Sequence, residues 1–167
     1  DGCTGRNGWE VLRHYFPAYM TALGTMSSAA TLATALDCIN KSKVVKKDIT
    51  NFAIPLFSNI HLCGSVLTEV LFVCVVAKML NGALPPFETM LPFILLLSVI
   101  AVGAPGVPGG TMMASITLVA SMLDINETGQ GLLLAIYALQ DSFGTGCNIM
   151  GDGALTLMLH RNSKSDC

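Results

Sequence analysis

The chain has 167 residues, of which 52% are hydrophobic and 12% charged, and its mean hydropathy is +0.62. Soluble domains usually carry about 25% charged residues, so this composition indicates a membrane protein. The formal net charge is −2, and nothing in the sequence indicates a strongly basic surface. We therefore exclude a nucleic-acid partner.

Lysine and arginine concentrate in three regions, and this placement predicts the topology. Eight of the nine basic residues are Arg6, Arg13, Lys41, Lys43, Lys46, Lys47, Arg161 and Lys164. The polar stretches 81–89 and 124–131 contain neither lysine nor arginine. Because positive charge marks cytoplasmic loops, we expect the three basic regions inside the cell and the other two loops outside.

The first two predicted elements are a helical hairpin and a spanning helix. Residues 10–39 start and end on the cytoplasmic side and are broken at "LGTMSS", residues 23–28. Arms of about 13 residues cannot span a bilayer, which takes about 20, so we predict a re-entrant hairpin. Residues 49–80 are long enough to span, although "SNIHLCGS" interrupts them at 58–65.

The same two elements follow in the opposite orientation. Residues 86–123 start and end outside and are broken at "GAPGVPGG", and residues 131–160 form the last transmembrane helix. The predicted fold is an all-α membrane protein, an inverted repeat of re-entrant hairpin plus transmembrane helix, as in secondary transporters. A soluble all-α core is the alternative, and the one-sided placement of lysine and arginine argues against it.

Polar residues inside the last helix mark the main candidate site. Asp141, Thr145, Asn148 and Asp152 fall within about 60° of one another on a helix. An ionisable residue inside a membrane helix is costly and is a functional candidate by default. These oxygens suit a hard cation such as sodium or the ammonium group of an amino acid. A polar seam for helix packing is the alternative interpretation.

The interrupted helix carries the second group of candidates. Its Gly64 breaks the apolar run near His61, and free carbonyls at such a break can bind a cation. Glu69, one turn beyond Ser65 in an apolar run, is a candidate proton carrier. A soft metal bound by His61, Cys63 and Cys147 is an alternative, but their spacing matches no established metal motif.

Cysteines and the start of the chain give two further expectations. The six cysteines show no C-x-x-C pair, and those in apolar runs should be reduced thiols. The chain has no initiator methionine and no signal-peptide pattern, which predicts a fragment of a longer protein.

Four motifs together resemble the dicarboxylate/amino acid:cation symporter family, the glutamate transporter homologues. "GRNGWEVLRHYFPAYMTALGTMSSAATLATAL" is similar to the family's first hairpin with its serine-rich tip. "PLFSNIHLCGSVLTE" is similar to its broken seventh helix, whose usual core is N-M-D-G-T. "GAPGVPGG" resembles the second hairpin tip, and "DSFGTGCNIMGD" resembles the eighth helix's D-x-x-R-T-x-x-N-x-x-G-D.

The resemblance implies a role for each matching position. The substrate's α-carboxylate would be held by the serines, the second tip's backbone and an asparagine, namely Ser27, Ser28, Val107, Gly109 and Asn148. Asp141 would bind the α-amino group, while Thr145 and Ser65 would line the side-chain pocket. Sodium would bind at Asn148 and Asp152, with a second site formed by carbonyls near Asn59 and Ala101 to 104. Glu69 stands where proton-coupled members carry a glutamate.

Departures from the family pattern alter two of these implications. Gly144 replaces the arginine that pairs with an acidic substrate side chain, so we expect a neutral amino acid. The resemblance implies that the N-M-D-G-T motif takes part in cation binding. In this chain His61 replaces the asparagine of the motif, and Cys63 replaces its aspartate. The loss of that anionic ligand puts full sodium stoichiometry in doubt. Ala29, Ala33 and Tyr137 also depart from the pattern.

The expected function is secondary active transport of an amino acid and not an enzymatic reaction, with no catalytic residues. Sodium, a proton or both would drive symport, with this core moving in an elevator-type mechanism. The resemblance implies a multi-pass protein of the plasma membrane, in contact with lipid, that forms a homotrimer through a scaffold domain. The family's first six helices, which include that scaffold, have no counterpart here. Alternatives are a non-transporting amino-acid binding protein or sensor, and a truncated inactive product.

Overall fold

The computed structural model describes residues 8–165, and side-chain surroundings from residue 13 to residue 163. All regular secondary structure in this part of the chain is helical, which confirms the predicted all-α class. The helices are α1 (Gly8–Thr25), α2 (Ser28–Ser42), α3 (Lys47–Ile60), α4 (Cys63–Asn81), α5 (Phe87–Gly103), α6 (Gly110–Leu123) and α7 (Glu127–Ser165).

Helices α1 and α2 pack against each other and form the first hairpin. Its tip is the two-residue link between Thr25 and Ser28, where Met26 adopts a left-handed backbone with a φ of 51°. The Ser27 hydroxyl accepts a hydrogen bond from the Ala30 N–H at 3.2 Å and so caps α2. The tip lies within residues 23–28, where the sequence predicts the break between the two arms of the hairpin.

Helices α5 and α6 form the second hairpin, whose tip is residues 104–109. Pro105 and Pro108 lack the N–H that would continue α5, and Gly109 adopts a φ of 71° before α6 begins. This tip lies within the predicted break at 103–110. The structure thus contains both predicted helix pairs; that they are re-entrant remains a prediction.

Helices α3 and α4 are two halves of one apolar stretch that is interrupted at residues 61–62. α3 ends at Ile60, and α4 begins at Cys63 without a capping side chain of its own. By length and composition, the stretch Lys47–Asn81 is the one segment of the described residues that could cross a membrane. α7 is about 58 Å long, but polar residues make it less apolar than that stretch.

Helix α7 lies between the two hairpins and packs most extensively against α4. One apolar cluster joins α4, α5, α6 and α7 around Phe93, Leu97 and Met112. A second cluster joins α1, α2, α3 and α7 around Ile54 and Ile149. Each hairpin therefore shares a core with one half of the broken helix and with α7.

The outer faces of α4 and α5 are strongly apolar. Large side chains exposed there include Leu67, Leu71, Met79, Leu95 and Val99. Apolar patches of this extent are rare on soluble monomers and mark contact with lipid or with another protein. This exposure agrees with the membrane protein that the composition predicts.

Cysteines 38, 63, 74 and 147 are free thiols, as the sequence predicts for apolar segments. Cys3 and Cys167 lie outside the described residues, as does Arg6 of the first basic cluster.

Candidate functional site

A cavity of about 150 Å³ lies where the two hairpin tips, the helix break and α7 meet. Its wall is built from all four of these elements. The lining residues include Ser28 and Ala29 from the first hairpin, Ser58, Asn59 and Ser65 from α3 and α4, Ala101, Gly106, Val107 and Thr111 from the second hairpin, and Asp141 and Thr145 from α7. Among these described lining residues there is no lysine, arginine or histidine.

The predicted polar face of α7 is buried, and it divides into two levels. Asp141 and Thr145 line the cavity. Asn148 and Asp152 are also buried but do not reach the cavity wall. The structure therefore brings two of these four predicted residues to the cavity and places the other two behind the start of α4.

Asp141 connects α7 to the second hairpin tip. Its Oδ2 accepts a hydrogen bond from the Gly109 N–H at 2.7 Å. The Val107 N–H donates to the Pro105 carbonyl at 2.8 Å. Both backbone amides that the resemblance assigns to a substrate carboxylate are thus already paired within the protein, and Gly109 does not line the cavity.

Ser27 joins the two hairpin tips. Its hydroxyl donates to the Gly106 carbonyl at 2.6 Å while it accepts from Ala30. The Ala29 N–H also points to the Gly106 carbonyl, at 3.5 Å. Ser28, and not Ser27, contributes to the cavity lining. The serine pair therefore performs two tasks, since one serine holds the tips together and its neighbour faces the cavity.

Asn148 supplies the N-terminal cap that α4 lacks. Its Oδ1 accepts hydrogen bonds from the N–H groups of Gly64 at 2.8 Å and Ser65 at 3.4 Å. Its Nδ2 donates to the Ser65 hydroxyl at 2.8 Å. The first N–H groups of a helix have no partner within it, so a residue of α7 fixes where α4 begins.

Asp152 is fully buried and contacts the helix break. Its Oδ1 lies 3.0 Å from Nδ1 of His61, and the other His61 ring nitrogen lies 3.1 Å from Cys63 Sγ. Asp152 Oδ2 has no hydrogen-bond partner among the described residues. The structure brings together His61 and Asp152, which the sequence analysis assigned to cation binding.

Asn59 and Ala101 lie near the ends of α3 and α5, and both line the cavity. The last carbonyls of a helix have no partner within it, and their partial negative charge favours a cation. The Asn59 side chain donates to the Pro55 carbonyl at 2.8 Å. The C-terminal ends of two helices therefore contribute to the cavity wall, and a cation site there remains a prediction.

Comparison with known proteins shows the family of the chain. The family model described as "Sodium:dicarboxylate symporter family" matches residues 2–162. The chain belongs to this family. An excitatory amino acid transporter of Caenorhabditis elegans is 28% identical over 98% of the chain, as is human excitatory amino acid transporter 2. A transporter of the same name from Onchocerca volvulus is 27% identical over 98% of the chain.

The chain spans 32%, 28% and 33% of the lengths of these three relatives, respectively. The resemblance stated from the four motifs is thus confirmed at the level of the family. The match includes both hairpins, the broken helix and most of α7.

The resemblance places the family's arginine at Gly144. In the structure this residue lies against α4 and does not line the cavity. A Cβ atom at this position would be 3.2 Å from the Ser65 Cα and 3.4 Å from the Gly64 carbonyl oxygen. Such separations are tighter than ordinary van der Waals contact. A larger residue at 144 would therefore require α4 and α7 to move apart slightly.

Glu69 is buried in a polar cluster between α4, α6 and α7 and does not itself line the cavity. The Ser115 hydroxyl donates to Glu69 Oε1, and Oε2 has no partner among the described residues. Nearby, the Tyr137 hydroxyl accepts from Thr111 at 3.0 Å and donates to the Ser65 carbonyl at 2.9 Å. The second hairpin is thus joined to both α4 and α7 by side-chain hydrogen bonds.

Sequence reasoning did not assign roles to Thr111 and Ser115, and it treated Tyr137 only as a departure from the family pattern. Their signal was ambiguous, because α6 also carries Thr117 and Ser121, a second pair of hydroxyl residues at i and i+4. The soft-metal alternative finds no support, since the described residues contain no group of three or more His, Cys, Asp or Glu that could hold a metal ion.

Proposed function

We propose that this chain forms the substrate- and cation-binding core of a secondary active transporter for an amino acid. The observation that carries the proposal is the buried Asp141, which lines a cavity between two hairpin tips in a member of a symporter family. Asp141 would bind the α-ammonium group through a charge-assisted hydrogen bond. This role is transport and not catalysis.

The proposed substrate is a small neutral amino acid. The names of the matched family and relatives refer to dicarboxylates and excitatory amino acids. An acidic amino acid is therefore the alternative substrate. Three features support the neutral class: the cavity is lined by hydroxyls, has no cationic lining residue among those described, and measures about 150 Å³. A cavity of about that volume accommodates benzene, which is close in size to a small amino acid. A second substrate carboxylate would lack a buried cationic partner.

Contacts to the rest of the substrate are proposed from the cavity wall. Thr145 and Ser65 would line the side-chain pocket, and Ser28 would contact the α-carboxylate. Ser27, Val107, Gly109 and Asn148 are proposed to shape this pocket through the hydrogen bonds described above, and to contact the carboxylate after local rearrangement of the tips.

Sodium is the proposed coupling ion, with two candidate positions. One lies at Asn148 and Asp152 beside His61, and the other beneath the second hairpin near Asn59 and Ala101. Hard cations prefer several oxygen ligands, which carboxylate, amide and helix-end carbonyls can supply. Glu69 is the proposed proton carrier, because one of its oxygens is buried without a partner among the described residues.

The proposed mechanism is elevator-type movement of this core against a scaffold in the complete protein. Both hairpins would be re-entrant, and the hairpin–helix units (10–39 with 49–80, and 86–123 with 131–160) would form an inverted repeat. Each of the two apolar clusters combines one hairpin with one half of the broken helix and with α7, so the two proposed units would share their cores. In this proposal the complete protein is a homotrimer in the plasma membrane.

The test is uptake of the twenty amino acids into proteoliposomes that contain the full-length protein, under an imposed sodium or proton gradient. We expect uptake of small neutral amino acids that collapses without the gradient. Uptake of aspartate or glutamate alone would refute the neutral class. No uptake of any amino acid under either gradient would refute transport.

Asp141→Asn sharpens the same experiment because it removes the charge and keeps the shape. Loss of a hydrogen bond to a charged group should weaken substrate binding by about tenfold to a hundredfold. Asp124→Asn is the matched control, since Asp124 is exposed at the end of α6. Equal affinities in the two variants would argue against an ammonium-binding role for Asp141.

A non-transporting amino-acid binding protein or sensor is the second candidate function. It is favoured by the hydrogen bond from His61 to Asp152, because a protein side chain there uses an oxygen proposed for the coupling cation. Amino-acid binding that is indifferent to sodium, together with no uptake, would select this candidate.

A further inference from the structure

The imidazole of His61 is bound directly to the buried carboxylate of Asp152. Nδ1 of His61 lies 3.0 Å from Oδ1 of Asp152, although the two residues are 91 positions apart. In the ionised form that would bind a cation, the Asp152 carboxylate only accepts hydrogen bonds, so Nδ1 then carries the hydrogen in this pair. The other ring nitrogen lies 3.1 Å from the sulfur of Cys63, which also holds the ring in this orientation.

The backbone of α7 is shaped to receive this ring. A Cβ atom on Gly151, the residue before Asp152, would overlap with Cε1 of the imidazole. Glycine therefore lets the His61 ring lie against the helix backbone beside the carboxylate. The contact is a packed one, since the His61 side chain is 22% exposed and Asp152 is fully buried, and not a chance approach of a surface side chain.

His61 also borders a second cavity, which gives the ring a place to move. This groove of about 390 Å³ lies between the helix break, α4 and α5, and is mostly apolar. Its lining includes His61, Cys63, Val66, Ile94 and Ser98. The ring thus stands between the groove on one side and Asp152 on the other.

From this geometry we propose that His61 is an internal competitor for the coupling cation at Asp152. The inference rests on the proposed function, because it concerns the affinity of the cation site. Oδ1 of Asp152 already accepts from His61, and Oδ1 of Asn148 already accepts from Gly64. Only Oδ2 of Asp152 lacks a partner among the described residues.

A hard cation binds several oxygens at once, so one free carboxylate oxygen is a poor site for it. Sodium gains the second oxygen of Asp152 only when the His61 ring leaves it for the adjacent groove. Sodium affinity at this position is therefore reduced by the hydrogen bond that must be broken. His61 determines the sodium concentration at which the site fills.

The experiment measures sodium binding alone, through the rise in unfolding temperature of the purified full-length protein as sodium chloride is added. Choline chloride keeps the ionic strength constant. His61→Ala should lower the sodium concentration that gives the half-maximal effect by about tenfold or more, as expected for loss of one hydrogen bond to a charged group. An unchanged or higher concentration would overturn the inference.

His61→Phe and His14→Asn serve as controls. Phenylalanine keeps a planar ring against Gly151 but cannot donate to Asp152, so His61→Phe should respond to sodium as His61→Ala does. His14 is exposed on α1, and its replacement should change nothing. A His61→Phe response like that of the unchanged protein would show that packing, and not the hydrogen bond to Asp152, is responsible.

A second measurement keeps the native side chains, in case His61→Ala does not fold. In protein labelled with ¹⁵N-histidine, sodium should shift the imidazole signals of His61 and leave those of His14 unchanged. His61 signals that stay constant up to saturating sodium would overturn the inference. Amino-acid uptake is measured separately, so absence of uptake with a sodium-sensitive His61 would refute the proposed function and leave this inference standing.

Discussion

At the scale of single residues, Tyr137 shows how one hydroxyl joins three helices. The residue lies on α7 and is 1% exposed. Its hydroxyl accepts from Thr111 of α6 and donates to the Ser65 carbonyl of α4. Because Thr111 and Ser65 both line the cavity, Tyr137 fixes the distance between two of its walls.

Tyr137→Phe should therefore destabilise the protein and weaken amino-acid binding. Removal of the hydroxyl leaves buried polar groups of Thr111 and Ser65 without this partner, at a cost of about 1–3 kcal/mol. Thermal unfolding in detergent and amino-acid binding measure the two effects. The control is Tyr19→Phe, since Tyr19 is only half-buried and its hydroxyl makes no side-chain hydrogen bond described here. Equal unfolding temperatures for the two variants would contradict the role given to Tyr137.

The residues of the candidate site differ in how readily the sequence alone predicts their roles. Asp141, Asn148 and Asp152 could be found because carboxylates and amides are costly inside an apolar helix. Tyr137 carries no such signal, since tyrosine is common in apolar segments. The contact between His61 and Asp152 depends on how α4 crosses α7, and no local pattern contains that information.

At the scale of helices, the start of α4 is set by a residue of another helix. The N-cap position, Leu62, makes no side-chain hydrogen bond to α4. Asn148 of α7 instead accepts from the N–H groups of Gly64 and Ser65. The helix break and the polar face of α7 are therefore one structural unit.

Asn148→Ala should shift the start of α4 and destabilise the protein. The buried N–H of Gly64 would lose its acceptor, which costs about 1–3 kcal/mol. Asn148→Asp should lose less, because a carboxylate also accepts there and is favoured at a helix N-terminus. Chemical or thermal unfolding ranks the variants, with the exposed Asn51→Ala on α3 as control. If Asn148→Ala unfolds like Asn51→Ala, the capping role is wrong.

The helix breaks themselves could be located from the sequence, because glycine and proline act locally. The tip of the second hairpin contains Pro105, Pro108 and Gly109, which end one helix before the next begins. The first tip lacks proline, and its signal is the break of the apolar run at "LGTMSS", residues 23–28. The position of the break at His61 within the predicted stretch 58–65 could not be fixed, since Asn148 determines it from 84 positions away.

At the scale of the whole molecule, two apolar cores meet along α7. One contains Phe93 and Met112 of the second hairpin, and the other contains Ala18 and Ile39 of the first. The hairpin tips touch through Ser27 and the Gly106 carbonyl. A conformational change that opens one tip can therefore leave the opposite core intact, which is compatible with the proposed transport mechanism.

Helices α4 and α7 cross at a contact between two glycines, Gly64 and Gly144. This crossing lies between the two apolar cores. A Cβ atom on Gly64 would lie 2.5 Å from the Gly144 carbonyl oxygen and 2.7 Å from the Cys147 Cβ. Glycine at such crossings lets helix backbones approach closely. Asn148 accepts a hydrogen bond from the Gly64 N–H and donates one to the Ser65 hydroxyl at this same crossing, and both depend on its closeness.

Gly64→Ala should push the two helices apart and weaken the whole assembly. Overpacking of this kind costs about 1–3 kcal/mol, and loss of the Asn148 hydrogen bonds would add to it. Gly24→Ala is the matched control, because a Cβ there meets no atom within 4 Å and alanine favours the helix. The measurement compares the unfolding midpoints of the two variants in detergent, and we expect a lower midpoint for Gly64→Ala. A Gly64→Ala protein as stable as Gly24→Ala would mean that α4 and α7 do not cross this closely, and the cavity between the hairpins would then need a different wall.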